Sequence, residues 1–184
     1  MTCKIFNSGC FTGWGSLVFF DAEEHQIPTD DSYKNLAEIP KLGTQWKILH
    51  EFKPTEYLQE ADPTMEPCSL SVEAGEQVRS LLFLYFLDTN IRLVHSIFEG
   101  DILIDATDVE SSHLPKIGEW TRIELSHEEV EGKYFLSFSV GGREVGRKEA
   151  GPDLRKLTDV EIFIGGSLVI QPGFVRRLVI LEKQ

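Results

Sequence analysis

Between Trp120 and Val145 the chain alternates with a period of two. Tyr134, Leu136, Phe138 and Val140 interleave with Phe135, Ser137 and Ser139, which predicts a strand with the first set on one face of a sheet and the second on the other. Gly141-Gly142 follows at once. Two glycines between alternating runs supply the positive φ that a tight hairpin needs, so Arg143, Glu144 and Val145 are expected to pair back on the preceding strand.

The same pattern recurs along the chain. Strands are predicted around KIF and SLVFF in the first 21 residues, and from Thr44, where Trp46, Ile48, His50 and Phe52 share a face and Pro54 ends the run. Cys68, Leu70 and Val72 alternate, and Val78 to Leu87 is almost continuously apolar, as in a strand covered on both faces. Ile91, Leu93 and His95 then alternate with Arg92, Val94 and Ser96, and a further strand begins at Ile102 and Ile104. Val160, Ile162 and Ile164 lead into Gly165-Gly166, and a last strand covers Phe174 to Leu181. Surface loops are expected near 22–43, 56–67 and 105–119, the first with a short helical turn near Tyr33 to Ala37. Trp46 and Trp120 begin strands and are expected in the core. Ten or more short strands with almost no helical period predict an all-β chain, a two-sheet antiparallel jelly-roll sandwich forming a single domain over 1–184.

Composition narrows the function classes. With 41% hydrophobic and 26% charged residues the 184-residue chain can bury its own core. A net charge of −12 disfavours nucleic acid, which binds to basic surfaces. No apolar run reaches the length of a membrane-spanning helix, so membrane insertion is not expected. Residues 11–20 resemble the core of a signal peptide, but their polar and Gly interruptions read better as a strand. Cys3, Cys10 and Cys68 match no zinc or redox spacing. They suit free thiols as well as one disulfide. There is no Asn-x-Ser/Thr sequon.

The C-terminal half carries a family likeness. A Trp entering an Ile-x-Leu strand, the run Gly-Lys-Tyr-Phe-Leu-Ser-Phe-Ser-Val with its Gly-Gly turn, the strand Asp159 to Gly165 and the closing Pro172 to Ile180 together resemble the last strands of the concanavalin A-like/laminin G-like jelly roll. The resemblance covers about 44–182 and is best over 118–182. It implies two curved antiparallel sheets, an extracellular location, and binding of a glycan or protein, in some members through calcium. A cytoplasmic location stays open because no clear signal peptide is present. His95 and Trp120 are not accompanied by the Asn-Pro-Arg element of galectins, and no Glu-x-Asp-x-(x)-Glu string of sandwich glycosidases occurs.

The candidate chemistry is therefore that of recognition. Asp101, Asp105 and Asp108, near Glu99 and Glu110, are candidate calcium ligands, because calcium takes several carboxylates and carbonyls from one loop. Solvated carboxylates at strand ends fit the same string. Arg92, His95 and Ser96, with Arg143 from the later hairpin, are candidate ligand-binding residues on a polar sheet face, and Trp14, between two glycines, is a candidate stacking platform. The five histidines show no metalloprotease spacing, and neither a Gly-x-Ser-x-Gly elbow nor a phosphate loop is present. The expected activity is non-catalytic binding of a glycan or protein. A homo-oligomeric assembly module and a hydrolase of the same fold are the alternatives.

Overall fold

The computed structural model describes residues 14, 16–30, 32–56, 67–68, 70–73, 80–86, 91–97, 100–106, 115–150, 157–165, 169–170 and 172–183. In chain order its strands are β1 (Ser16–Gln26), β2 (Tyr33–Leu42), β3 (Trp46–Pro54), β4 (Pro67–Cys68), β5 (Leu70–Glu73), β6 (Ser80–Phe86) and β7 (Ile91–Ile97), then β8 (Gly100–Ala106), β9 (Thr121–Val130), β10 (Lys133–Val140), β11 (Arg143–Ala150), β12 (Leu157–Gly165), β13 (Val169–Ile170) and β14 (Gly173–Glu182). Two six-stranded sheets result, ordered β1-β14-β3-β9-β10-β11 and β2-β12-β5-β6-β7-β8. Pairing within both is antiparallel, and only the short β4 and β13 pair in parallel. The sheets approach each other at their margins, β1 beside β2 and β11 beside β8. This is the expected all-β antiparallel jelly-roll sandwich.

The 120–145 stretch folds as its alternation predicts. Leu136, Phe138 and Val140 are buried, whereas Phe135, Ser137 and Ser139 are only half-buried. Gly141 and Gly142 have φ of 60° and 85°, and Val140 pairs directly with Arg143, so the loop has two residues. A second turn of the same kind, Glu131-Gly132 with φ of 54° and 80°, joins β9 to β10. Both suit the twist of antiparallel strands.

The core lies between the sheets. Trp46, Ile48 and Phe52 of β3 and Ile123 and Leu125 of β9 meet Ala37 and Ile39 of β2 and Val160, Ile162 and Ile164 of β12. Two histidines share this layer. His127 donates its Nδ1 proton to the Thr44 carbonyl at 2.6 Å and stacks on Tyr134 at 5.2 Å. Burial lowers its pKa, and the hydrogen bond to Thr44 opposes that shift. His50 is more isolated, for neither ring nitrogen has a partner among the described residues.

Three expectations are corrected. The 22–43 region is no surface excursion, because β1 continues to Gln26 and Tyr33–Leu42 is strand rather than a helical turn. A strand at a sheet margin needs few apolar positions, here Ala37, Ile39 and Leu42, and it tolerates Pro40, which lacks an N–H to donate. Trp120 is not in the core but half-buried beneath two cations. The loop expected at 105–119 starts later than read, since β8 extends to Ala106; β3 ends at Pro54 as expected, and 57–66 and 107–114 lie outside the described residues, as do Cys3 and Cys10. Among the described residues no helix is long and apolar enough to cross a membrane.

Candidate functional site

Every second residue of a buried-face strand must face outward, and on the sheet containing β3 these residues form cross-strand rows. One row reads Glu24, Arg176, Glu51, Arg122 across β1, β14, β3 and β9. The next reads Phe20, Val179, Leu49, Glu124, Ser139, Glu144 over all six strands. Leu17, Leu181, Lys47, Ser126, Ser137 and Arg147 form the third.

Ion pairs lace these rows together. Glu124 accepts from Lys47 at 2.7 Å and from Arg122 at 2.9 Å, and Lys47 also reaches Glu128 at 3.1 Å. Glu51 takes Arg176 on one oxygen at 2.6 Å and Arg177 on the other at 2.9 Å. Two consecutive residues of a regular strand point to opposite faces, so this double grip needs an irregularity. Arg177 supplies it with a φ of 54°, where β14 places Arg177 and Leu178 opposite the single residue His50. Lys53 lies 4.6 Å from the Trp120 ring centre and 4.5 Å from that of Phe174, and the Arg176 guanidinium is 4.0 Å from Trp120.

Ser126, Ser137 and Ser139 form a strip of short hydroxyl side chains on β9 and β10. Ser126 and Ser137 are register partners, and Ser139 pairs with Glu124. These short side chains lie between longer ones, with Ser126 buried and Ser137 and Ser139 half-buried along the strip. Lys47 and Glu124 border it on one side, and Phe135, with the Arg147 guanidinium 4.3 Å from its ring centre, borders the other.

The expected site residues are divided by the topology. Arg143 is exposed at the start of β11, in the sheet that carries this face. Arg92, His95 and Ser96 lie on β7 in the other sheet, so Arg143 does not share a sheet face with them. Within that sheet Arg92 pairs with Asp105, His95 with Ile102 and Ser96 with Asp101. Trp14 is half-buried rather than free: it packs on the small outer cluster of Leu49, Val179 and Leu181, with Lys47 Nζ 4.4 Å from its ring centre. Sequence reasoning missed Lys53, Glu51, Arg176 and Arg177. The alternation of Lys47, Glu51 and Lys53 with the buried positions of β3, and an arginine doublet inside an apolar strand, were the available signals.

Of the calcium candidates, Asp101 and Asp105 lie on β8 and Asp108 lies outside the described residues. The group of described residues spaced to hold an ion is a different one, Asp21, Glu23 and His25 on β1, whose ligand atoms lie within 4.8 Å of one another. His25 Nε2 is 2.6 Å from the Asp21 carboxylate, and Lys34 Nζ is 2.8 Å from His25 Nδ1. This set does not fit calcium, which takes six to eight oxygens. It offers one nitrogen and two carboxylates, and the other ring nitrogen of His25 is already taken by the Lys34 ammonium.

No known family model matches the chain, and no characterised protein matches it by sequence. Solved structures do match. Domain 4 of AbnA, a GH43 extracellular arabinanase from Geobacillus stearothermophilus solved with arabinotriose, superposes with a TM-score of 0.58 at 11% identity over 92% of this chain and 94% of that domain. Domains LG4-5 of the mouse laminin alpha1 chain give 0.55 at 18% identity, covering 86% of this chain and 41% of theirs. A heptameric SAP-like pentraxin from Limulus polyphemus gives 0.54 at 13%, covering 88% and 74%. The chain thus has the concanavalin A-like/laminin G-like β-sandwich fold.

Proposed function

We propose that this chain is a non-catalytic recognition module that binds a glycan on the outer face of the β1-β14-β3-β9-β10-β11 sheet, in an extracellular setting. The observation that carries the reading is the serine strip of Ser126, Ser137 and Ser139 between fixed ion pairs and the Phe135 ring. Sugars present hydroxyl groups that both donate and accept, together with apolar C–H faces. Short hydroxyls, paired charges and an aromatic edge match these along one strip of the face. Glu144, the register partner of Ser139, stands at the margin of this face, whereas Arg143 is the partner of the core residue Val140 and belongs to the other side.

Catalysis has less support. Glu51, Glu124 and Glu128 each accept from a cation and Glu24 lies 3.6 Å from Lys53, whereas a glycosidase needs one carboxyl in an unpaired, desolvated setting to act as the acid. Assembly by strand addition is also disfavoured at three of the four edges of the two six-stranded sheets. The edge strand β1 is bulged, β2 carries Pro40, and β11 exposes Arg143, Glu144, Arg147, Lys148 and Glu149.

A glycan array probed with the purified chain tests the reading, run with calcium and with chelator. The expected result is binding that survives chelation and is lost in Ser137→Phe, which fills the strip without touching the core. Binding retained by that variant would put the site elsewhere, and no glycan bound under either condition would remove the reading in favour of a protein partner.

A further inference from the structure

From the charge arrangement around Trp120 we infer that the glycan recognised is an acidic one, bearing carboxylate or sulfate groups, and that Arg177, Arg176 and Lys53 hold its anionic substituent. The inference rests on the glycan-recognition reading above and adds the ligand's charge class to it.

The chain as a whole carries a net charge of −12, which repels anions at long range. The outer sheet face reverses that balance. Among the described residues its ion pairs about Lys47 and Glu51 join five cations, Lys47, Lys53, Arg122, Arg176 and Arg177, to four carboxylates, Glu24, Glu51, Glu124 and Glu128, while at the β10–β11 margin Lys133 and Arg147 are matched one to one by Glu149 and Glu144. The positive excess is concentrated at one end, for two geometric reasons. Glu51 is shared by two guanidinium groups, one on each oxygen, so a single negative charge answers two positive ones. Among the described residues Lys53 has only Glu24 as an ion-pair partner, at 3.6 Å and with Glu24 itself largely exposed. Contact at that distance is looser than a hydrogen bond.

The bulge at Arg177 is what creates the excess, since a regular strand would send one of the two arginines to the core face. Holding a non-glycine residue in left-handed backbone costs about 1–2 kcal/mol. Here it presents a second guanidinium on Glu51, beside that of Arg176, which itself lies against the Trp120 indole. An arginine pair offers planar, charge-assisted donors to a carboxylate or sulfate, and the Trp120 and Phe174 rings flank Lys53 with apolar surface for the sugar ring that carries the anion. Trp14, covering Leu49, Val179 and Leu181, limits the open part of the face to this end and the serine strip.

The test compares charged saccharides with matched uncharged ones by titration calorimetry. Uronic-acid oligosaccharides are set against their methyl esters, and sulfated galactan fragments against the desulfated forms, at low and high ionic strength. The charged member should bind about tenfold or more tightly, as a charged hydrogen bond predicts, and the advantage should shrink with salt. It should also shrink in Arg177→Asn, where asparagine keeps the left-handed backbone, and in Lys53→Gln, with melting midpoints confirming that both variants fold. Equal affinity for charged and uncharged members, or an advantage that survives both variants, overturns the inference. Neutral glycans bound at the serine strip would overturn it while leaving the recognition reading intact. No binding of any saccharide would overturn both.

Discussion

His50 makes stability depend on pH in a way that can be worked out from its surroundings. Its imidazole lies between the sheets with 2% of its surface exposed, and both ring nitrogens lack a partner among the described residues. Burial pushes its pKa down from 6.5 to about 3. The folded chain therefore keeps His50 neutral while the unfolded chain protonates it below pH 6.5. Protons favour the unfolded state, so the stability present above pH 6.5 is lost as the pH falls towards 3. Integrated from pH 7.5 to pH 5, the loss is about 2 kcal/mol, or about 4–8 °C in melting midpoint for a chain of this size. His50→Leu removes this linkage at nearly constant volume. It also relieves two unsatisfied polar atoms, a gain of about 1–3 kcal/mol at neutral pH. Urea unfolding of both proteins at pH 7.5 and pH 5 should show the variant more stable throughout, with a gap about 2 kcal/mol wider in acid. His127 contributes acid sensitivity of the same sign to both proteins and cancels in the comparison. A gap of equal size at the two pH values would refute the burial argument.

Two further substitutions probe the hairpin. Phe138 is 1% exposed in the inter-sheet core, so Phe138→Ala should cost about 3–5 kcal/mol in chemical denaturation, and an unchanged midpoint would reverse the assignment of faces. Nothing lies within 4 Å of a Cβ built on Gly141, whose φ is 60°. The cost of Gly141→Val is therefore one of backbone alone, about 1–2 kcal/mol, and Gly141→Asn should recover most of it; equal losses for the two would show that crowding, not φ, governs the turn.

The parts of the fold legible in the sequence are those in which local chemistry and tertiary position agree. Gly141 and Gly142 sit between alternating runs, and Val160, Ile162 and Ile164 show a clean period of two. β2 was hidden because a marginal strand buries only alternate positions and carries the breaker Pro40. Trp120 was misplaced for a related reason. Aromatic residues at strand starts usually pack inward, but this one lies on the outer face, where Lys53 and Arg176 cover it. The acidic string around Asp101, Asp105 and Asp108 drew attention through composition, yet composition says nothing of which strands adjoin. Spacing marks the outward residues of the candidate face only one strand at a time, because Glu24, Glu51, Arg122 and Arg176 come from four strands and meet only through register.

The register itself is unequal across the sheet, and this inequality shapes the face. Opposite the single residue His50, β14 places Arg177 and Leu178, and opposite Arg177, β1 places Ala22 and Glu23. Each strand outward from β3 thus carries one residue more than its inner neighbour at the same level. An extra residue bends its strand and changes which side chains share a face. On β14 the result is two adjacent arginines on Glu51. On β1 Asp21, Glu23 and His25 stand at alternate positions, which a strand places on one face, and they are met by Lys34 from the other sheet. Only the arginine pair follows from the bulge rather than from a period of two. Regularising β14 by deleting one bulge residue would therefore remove the arginine pair and the bend together, whereas Arg177→Asn removes the charge and leaves the bend. Comparing ligand affinity in those two forms separates what the guanidinium contributes from what the shape of the sheet contributes.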